Sequence, residues 1–411
     1  MSADEILALA ERTLRLVDGE AQVTAWWERQ LSAGAGGAVS SEAVSVEVAV
    51  VRDGRVGTAV TTDVDDPGLA RAAAGAARLA ASGPEAAPLP EHGPPGRRHD
   101  GYQPLLIDPA DVGEQLGEWS SWRAGAATTA IVSTRGVRAY EERSFGDLRV
   151  RRHVPGRSLE LSAAAVSAGD LDPAALGAEA EALLGADAAI ADVGPGEYPV
   201  VLGPWAVAEV VRRAALAFGG PQSPLAPRLG TQVAAPAVNL SESPRFAATL
   251  PRSYDAQGSA RQPLPLIQDG VAHRLTGPDT GHAQAAGGVG GYVPEHLVLV
   301  GGGAAGISEL AAPVEQGLFI PSLSLHGAWV LGRPGSALAE GVRVIRGGEP
   351  AEPAPNLSVL FEPLELLSRV QALTGRQRTV PPPVVRSART ASATVAPALR
   401  AGGGMHVAGA A

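Results

Sequence analysis

Residues 200–218 read VVLGPWAVAEVVRRAALAF, a short apolar run followed by a stretch with helical periodicity. The apolar run predicts a buried strand, and Pro204 suits the first turn of a helix because the amide there needs no partner. Apolar side chains recur at helical spacing, on Val207, Val210, Val211, Ala214 and Phe218. The segment therefore predicts a strand that leads directly into a helix with one buried face.

Arg212 and Arg213 fall largely on the opposite side of this helix, together with Glu209. Glu209 stands four residues before Arg213, the favourable order for a helical ion pair worth about 0.2–0.5 kcal/mol. Two adjacent arginines at such a junction are compatible with a functional site. An ordinary solvent-facing ion pair explains them without a site, and composition and spacing alone favour that interpretation.

The bulk composition indicates a soluble globular protein with more than one domain. The chain has 411 residues, of which 45% are hydrophobic and 18% charged, and this length is too great for one small core. No run of 18 apolar residues predicts a membrane span, and the acidic start MSADEILALAERTLRL is unlike a signal peptide, so we expect a cytoplasmic protein. The net charge of −10 disfavours direct binding to nucleic acid, because phosphate contacts require a basic face.

The sequence contains neither cysteine nor lysine. This excludes disulfides, thiolate ligands, a Schiff-base lysine and a Walker-type phosphate loop. GGGAAG at 301–306 fits a dinucleotide-binding pattern, but no acidic residue ends the next strand and no βαβ series surrounds it. The eight histidines show no metal-binding spacing on a helix, and no G-x-S-x-G elbow occurs. His282 and His326 remain the best histidine candidates because both lie in turn-like segments.

The order of predicted elements in the first half indicates an α+β fold. A capping box at Ser2–Glu5 begins a helix, Asp53-Gly54 joins two strands as a hairpin turn, and Asp66 caps a second helix with Pro67 in its first turn. Four strands are then predicted, around TAIVST, VRAYEER, LRVRRHV and SLELSAAAV, with short helices before them at Asp108-Pro109 and after them over 173–184.

Two domains are predicted from this organisation. Residues 1–192 form an N-terminal α/β-sheet domain in which the Pro/Gly-rich segment 83–101 is a linker or long loop. Residues 193–411 form a β-rich C-terminal domain with many short strands. Its helices are predicted over 204–218, 307–315 and 362–373, the last with a glycine C-cap at Thr374-Gly375. A final strand is predicted near 391–396.

Several collinear segments resemble the TldD/PmbA family, whose PmbA branch is also called TldE. They include VSVEVAVVRDGRVGTAVTTD, GEYPVVLGPWAVAEVV, PLPLIQDGVAHRLTGPDTGHAQAAG, HLVLVGGGAAGISELAAPVEQGLFI and GVRVIRGGEPAEPAPNLSVLFEPLELLSRVQAL. Each segment alone is a weak match, but their order covers nearly the whole chain. The resemblance implies the two-domain fold of that family, and it replaces the dinucleotide interpretation of GGGAAG.

Catalytic TldD-type members carry HExxxH on the helix after VVLG, and a later cysteine supplies a third metal ligand. On this sequence the first histidine position is Arg212, the glutamate position is Arg213 and the second histidine position is Ala217. Arginine offers no free lone pair to a cation, and alanine has no donor atom. The resemblance therefore implies that this chain has no catalytic residues of its own and does not bind the family's metal.

This pattern implies a TldE-like subunit of a heterodimeric metallopeptidase or amidohydrolase. Zn²⁺ would be held by a TldD-like partner, and this chain would complete a chamber for a peptide or amide substrate, including substrates of natural-product pathways. His282 and Gln284, where the family favours Asn and Arg, and His326 are the candidate chamber residues. Residues 331–341 also depart from the family pattern.

Two alternatives stay open at the level of sequence. One is a homo-oligomeric binding or scaffold protein that keeps the fold without an enzymatic partner. The other is an independent hydrolase with a relocated site, for instance around His282, His326 and Asp279.

Overall fold

The computed structural model of the chain describes residues 1–103, 112, 116, 120–185, 189–325, 330, 332–385 and 387–411. The predicted helix at Asp108-Pro109 lies outside these residues. The described helices are α1 (Ala3–Leu14), α2 (Asp66–Ala80), α3 (Pro173–Leu184), α4 (Pro204–Leu216), α5 (Ile307–Ala311) and α6 (Pro363–Ser368). Among the described residues, none of the helices is long and apolar enough to cross a membrane.

The strands before residue 192 form one sheet. They are β1 (Glu20–Gly34), β2 (Gly37–Arg52), β3 (Arg55–Thr61), β4 (Arg97–Arg98), β5 (Ser121–Ser133), β6 (Arg138–Val154) and β7 (Arg157–Ala165). Their order is β3-β2-β1-β5-β6-β4, with β7 also paired to β6. Neighbours are antiparallel except for β4, which runs parallel to β6. Side chains of α1 and α2 pack with β1, β2 and β5 in an apolar core of their own.

Local sequence signals explain the start of α1 and the turn between β2 and β3. Ser2 accepts a hydrogen bond from the Glu5 amide and the Glu5 carboxylate accepts one from the Ser2 amide, which confirms the predicted capping box. Asp53 and Gly54 both have positive φ, 50° and 72°, as a two-residue hairpin loop requires. They connect Arg52 to Arg55, which are paired across β2 and β3.

Two predictions for the first half are wrong. The N-cap of α2 is Asp65, whose Oδ1 accepts from the Gly68 amide, so Asp66 is the first helical residue. VRAYEER and LRVRRHV belong to one 17-residue strand, β6, so three strands replace the four predicted after residue 120. The segment 83–101, predicted as a linker or long loop, contains the two-residue strand β4, which pairs with β6. In addition, the long strand β1 was not predicted, because apolar and polar residues alternate too little along it.

The strands after residue 192 form two sheets. They are β8 (Gly196–Glu197), β9 (Val200–Leu202), β10 (Leu240–Glu242), β11 (Leu264–Gln268), β12 (Val271–Ala272), β13 (Leu297–Leu299), β14 (Gln316–Ile320), β15 (Ser322–Leu325), β16 (Gly335–Glu340), β17 (Arg343–Arg346), β18 (Glu349–Pro353), β19 (Leu357–Phe361), β20 (Val370–Val380), β21 (Thr394–Ala401) and β22 (Met405–Ala410). The larger sheet has the order β12-β11-β10-β13-β21-β9-β14-β17-β18, with β20 paired to β21, and the smaller is β15-β16-β19-β22-β8. This architecture is α+β and rich in strands, as predicted.

The predicted helix over 362–373 is also wrong in its second half. Helix α6 ends at Ser368, and Val370 begins strand β20, which pairs with β21. Thr374 and Gly375 are not a helix cap but lie in an irregular stretch where the register between β20 and β21 shifts. The hydroxyl of Thr374 accepts a hydrogen bond from the Ala398 amide and so fills the gap in the ladder. The predicted strand near 391–396 is β21, which begins later and runs to Ala401.

The largest apolar core joins the two halves of the chain. Trp122, Leu148 and Leu159 of the first sheet belong to the same buried cluster as Val200 and Trp205 of the second half. In the described residues each sheet takes its strands from one side of residue 192. The boundary between residues 192 and 193 itself stays a prediction.

Candidate functional site

The start of helix α4 packs closely against the backbone of Pro321. Gly203 lies against Pro321, and a Cβ at this position would stand 2.8 Å from the Pro321 carbonyl oxygen, so only glycine fits between β9 and α4. The helix then contacts β15 of the smaller sheet, β20 and β21 of the larger one, and helix α6. The amphipathic helix predicted from the sequence is therefore wrong in one respect, because α4 is buried on most of its circumference.

Glu209 forms its ion pair with Arg212, one turn further along α4, and not with Arg213 as predicted. Both side chains are largely removed from water, with 8% of the Glu209 side chain and 16% of the Arg212 side chain exposed. Arg212 also donates through Nη1 to the Val380 carbonyl oxygen at 3.4 Å, while its Nε is buried without a partner among the described residues. The pair is therefore a buried feature of the core and not an exposed surface contact.

Arg212 lines two cavities that lie along α4. One has a volume of about 140 Å³ and is polar, with Arg149, Glu160 and Glu209 in its wall. The other, of about 320 Å³, is lined by Leu216 and Glu295 and by apolar residues of the segment 382–385. Leu216 is 47% exposed although it is a large apolar side chain. Ala217, which stands where the resemblance puts the second metal-binding histidine, caps the end of α4 and is buried.

His282 belongs to a buried charged cluster centred on Glu242. Its Nε2 lies 3.3 Å from Glu242 Oε1, and its Nδ1 lies 3.0 Å from the Thr280 hydroxyl. His296 Nδ1 lies 3.2 Å from the same Glu242 oxygen, and Arg261 approaches it at 3.4 Å. The second Glu242 oxygen accepts the amides of Glu295 and His296, each at 2.8 Å. This carboxylate is therefore saturated by hydrogen bonds from the protein itself.

Burial and the contacts of Glu242 act on the pKa of this carboxyl group in opposite directions. Burial would raise the pKa of Glu242, but the close contacts of His282 and His296 and the charge of Arg261 outweigh it and hold that pKa well below its usual range. Burial lowers the pKa of His296 to about 4, and Arg261 acts in the same direction. At neutral pH the cluster thus contains an ionised Glu242 beside a neutral His296.

A second buried cluster lies on β6 and connects the two halves of the chain. Glu141 accepts from the Ser253 amide at 2.9 Å and contacts His99 Nε2 at 3.1 Å. Arg143 donates to the carbonyl oxygens of Leu250 and Ala391 at 2.7 and 2.6 Å. Burial would raise the pKa of Glu141, but the His99 contact and the charges of Arg143 and Arg252 lower it to about 2.

Gln284 is exposed and lines a polar cleft between these two clusters. The cleft has a volume of about 80 Å³, and its wall includes Glu141, Arg252 and Glu295. Burial and the neighbouring Arg261 lower the pKa of Arg252 to about 10. The structure thus places Gln284 at a cavity, buries His282 behind it, and leaves Asp279 exposed to solvent. His326 lies outside the described residues.

The charged residues of both clusters were missed at the level of sequence. Glu141 and Glu242 occur in strands whose neighbours gave no sign of a partner, and Arg261 follows a turn. Their partners are distant in the chain, so no local pattern could have found them. Within the described ranges, no group of three or more His, Asp or Glu side chains has the arrangement of a metal site.

The three sheets and the buried helix α4 define an α+β protein. In its C-terminal half, α4 packs against strands of both sheets. The family described as PmbA/TldA metallopeptidase C-terminal domain matches residues 195–409, which is more than half of the chain. The chain belongs to the TldD/PmbA family. No curated protein matches its sequence.

Solved structures of similar proteins share the fold over the whole chain. TldE from Thermococcus kodakarensis is 16% identical and has a TM-score of 0.79, covering 98% of this chain and 100% of that one. A proposed modulator of a DNA gyrase from Thermotoga maritima is 20% identical with a TM-score of 0.77, covering 98% and 99%. A proposed modulator of DNA gyrase from Bacteroides thetaiotaomicron is 17% identical with a TM-score of 0.75, covering 98% and 99%.

Proposed function

We propose that this chain is the non-catalytic, TldE-like subunit of a cytoplasmic, heterodimeric TldD/TldE-type metallopeptidase or amidohydrolase. The observation that carries the proposal is the Glu209–Arg212 ion pair on α4. It occupies the place where the family resemblance puts the first metal-binding histidine. A guanidinium held by a carboxylate has no lone pair for a cation, so these residues do not fit the family's zinc ion. The hydrolytic step is assigned to Zn²⁺ in a TldD-like partner.

The role proposed for this chain is to form part of the wall of the substrate chamber and to stabilise the partner. Arg212, Leu216 and the apolar segment 382–385 line open space beside α4, and a peptide or amide substrate offers both apolar side chains and polar groups to such a wall. Peptide maturation and natural-product processing are the expected contexts. The net charge of −10 supports a substrate other than nucleic acid.

The two alternatives have less support. A relocated hydrolytic site around His282 and Asp279 requires both groups to face one substrate, but His282 is fully buried and Asp279 is exposed. A homo-oligomeric scaffold would retain the cavities beside α4 without a metal-bearing partner, and the composition of a purified complex distinguishes it from the heterodimer.

The test is to purify the chain alone and together with the TldD-like protein encoded nearest to it, and then to measure bound zinc and hydrolysis of unstructured peptides. We expect a one-to-one complex that contains zinc and hydrolyses peptides, and an isolated chain that does neither. Stoichiometric zinc in the isolated chain, or peptide hydrolysis by it, would contradict the proposal. A stable homo-oligomer that does not bind the TldD-like protein would support the alternative of a homo-oligomeric scaffold.

A further inference from the structure

A cavity of about 230 Å³ lies at the start of α4, on the side where the GGGAAG stretch meets β20. Its apolar wall consists of Leu183, Pro204, Trp205, Ile307, Phe319 and Ala398. These residues come from α3, α4, α5, β14 and β21, so the cavity is formed by tertiary packing and not by one loop. Arg212, Arg213 and Ala217 do not line it, and it is distinct from the polar cleft at Gln284.

GGGAAG holds one side of this cavity in place. A Cβ on Gly301 or Gly302 would stand 2.7 Å from the carbonyl oxygen of Thr374 or Leu373, respectively, so both positions require glycine. The Gly302 amide donates to the Thr374 carbonyl oxygen at 3.0 Å, and the Gly375 amide donates to that of Ala304 at 2.9 Å. The irregular part of β20 is thereby fixed, and with it the direction of the arginine that follows.

Two arginines of β20 stand at the polar side of the cavity, and they differ in their partners. Arg378 donates to both carboxylate oxygens of Glu179, at 2.8 and 2.7 Å, and lies 5.8 Å from the centre of the Trp205 ring. Arg376 is exposed, and its guanidinium has no carboxylate or carbonyl partner in the described part of the chain. The net charge of these three groups at the cavity is therefore positive.

The polar edge of Trp205 is already satisfied, because its Nε1 donates to the Ser162 carbonyl oxygen at 2.7 Å. The ring therefore presents an apolar face to the cavity. Cavities that bury drug-sized ligands have volumes of roughly 300–1,000 Å³, so this one suits a smaller group, about the size of one or two amino-acid residues. An apolar wall with one unpaired guanidinium at its edge is complementary to an apolar group that carries a carboxylate.

We propose that this cavity is a binding site for a carboxylate attached to a single apolar group, with Arg376 pairing the carboxylate and the Trp205–Phe319 wall holding the apolar part. Two sources offer this chemistry, the C-terminal residue of a peptide and a free small carboxylic acid. The inference concerns residues of this chain only. It does not depend on whether the chain pairs with a metal-bearing subunit.

The experiment is calorimetric titration of the full-length chain with N-acetyl-leucine and with N-acetyl-leucinamide, which lacks only the charge. We expect the acid to bind at least tenfold more tightly than the amide, and Arg376→Gln to abolish that difference. Arg346→Gln is the matched control, because Arg346 is also an exposed strand arginine but does not line this cavity. Equal binding of acid and amide, no binding of the acid, or an unchanged Arg376→Gln protein would overturn the proposal.

Two further arms distinguish the sources of the carboxylate. An acetylated tripeptide that ends in leucine binds at least as tightly as N-acetyl-leucine if the occupant is a peptide C-terminus. If the tripeptide is excluded while N-acetyl-leucine binds, the occupant is a small carboxylic acid. Because Arg376 is exposed, its replacement leaves the core intact, and thermal unfolding of each variant verifies this.

Discussion

At the scale of single residues, the charged pair on α4 is the feature that differs most from its sequence prediction. The prediction paired Glu209 with Arg213 on a solvent-facing side, and the structure pairs Glu209 with Arg212 inside the protein. Helical spacing allows both partners, and only the sheets around α4 decide between them. An ion pair in such a place stabilises little in itself, but removing one partner leaves the other charge buried.

We expect Arg212→Met to lower the free energy of unfolding by about 2–3 kcal/mol, because the buried Glu209 carboxyl group would lose its guanidinium partner. Adding Glu209→Leu should restore part of that loss. Denaturant unfolding of the single and double variants measures both effects. Arg213→Met is the matched control, for which we expect a change of about 0.5 kcal/mol or less. Similar losses in both single arginine variants would contradict the pairing described here.

At the scale of secondary-structure elements, the strand β6 shows why a local pattern was misleading. The sequence SFGD inside it has the composition of a turn, yet the chain continues as a strand. Gly146 is there because the strand passes close to the turn at 168–171. A Cβ at this position would stand 2.7 Å from both Ala168 Cα and Leu171 Cδ1. Glycine thus marks a close approach and not a reversal of direction.

Gly146→Ala is therefore expected to lower the free energy of unfolding by about 1–3 kcal/mol through overpacking. Gly75→Ala, the same chemical change inside α2, should instead raise it by about 0.5–1 kcal/mol. A Cβ at Gly75 meets nothing closer than 3.7 Å, and alanine restricts the unfolded chain. Thermal and denaturant unfolding of both variants provide the comparison. A stabilised Gly146→Ala protein would mean that β6 does not pass close to the turn at 168–171.

The start of α2 gives a second element-scale prediction. Asp65 accepts the Gly68 amide at 2.7 Å, whereas Asp66 is inside the first turn. We expect Asp65→Ala to cost about 1 kcal/mol of stability because an amide of the first turn loses its acceptor. Asp66→Ala removes a favourable charge near the helix start, worth about 0.3–1 kcal/mol at low ionic strength, and an exposed ion pair with Arg12 at 3.7 Å. In high salt the Asp66→Ala loss should disappear, whereas most of the Asp65→Ala loss should remain, because the cap hydrogen bond is not screened by salt. An Asp65→Ala loss that vanishes in high salt would argue against the cap.

These elements show how far the sequence could predict this structure. Helices with clear caps, the Asp53-Gly54 turn and the strand-to-helix junction at Gly203 were predictable because their causes are local. The α+β class and the family resemblance followed from the order of such segments. The end of α6 was not predictable, because LSRVQAL has helical character and becomes a strand only where β21 is available to pair with it. The partners of Glu141 and Glu242 were not predictable either, because they are distant in the sequence. Ser253 lies 112 residues after Glu141, and His296 lies 54 residues after Glu242.

At the scale of the whole molecule, buried charges join parts of the chain that the apolar core alone would not align. Glu141 and Arg143 connect the first sheet to segments at 250–253 and 389–391. Glu242 connects β10 to the segments that carry His282, Glu295 and His296. In both clusters a carboxylate with a depressed pKa is surrounded by donors. Such groups make the stability of the molecule depend on pH in one direction.

His296 should dominate this dependence between pH 6.5 and 4. Its pKa in the folded protein is about 4, against an ordinary value of 6.5, because burial and Arg261 disfavour the charged ring. In that interval the unfolded chain binds the proton and the folded protein does not, so stability is fully present above pH 6.5 and is lost as the pH falls. At 1.36 kcal/mol for each pKa unit, the loss is on the order of 3 kcal/mol. Below pH 4.5, Glu141, whose folded pKa is about 2, adds a further loss of the same sign.

The measurement is the free energy of unfolding by denaturant at several pH values from 8 to 4, for the wild-type chain and for His296→Asn. Asparagine keeps a donor near Glu242 but does not titrate, so the slope between pH 6.5 and 4 should become shallower, whatever the stability of the variant at pH 8. His92→Asn is the matched control, because His92 is exposed, and its slope should equal that of the wild type. If His296→Asn keeps the full slope, the buried neutral histidine beside Glu242 is not what links this fold to pH, and the loss must be assigned to carboxylates such as Glu141.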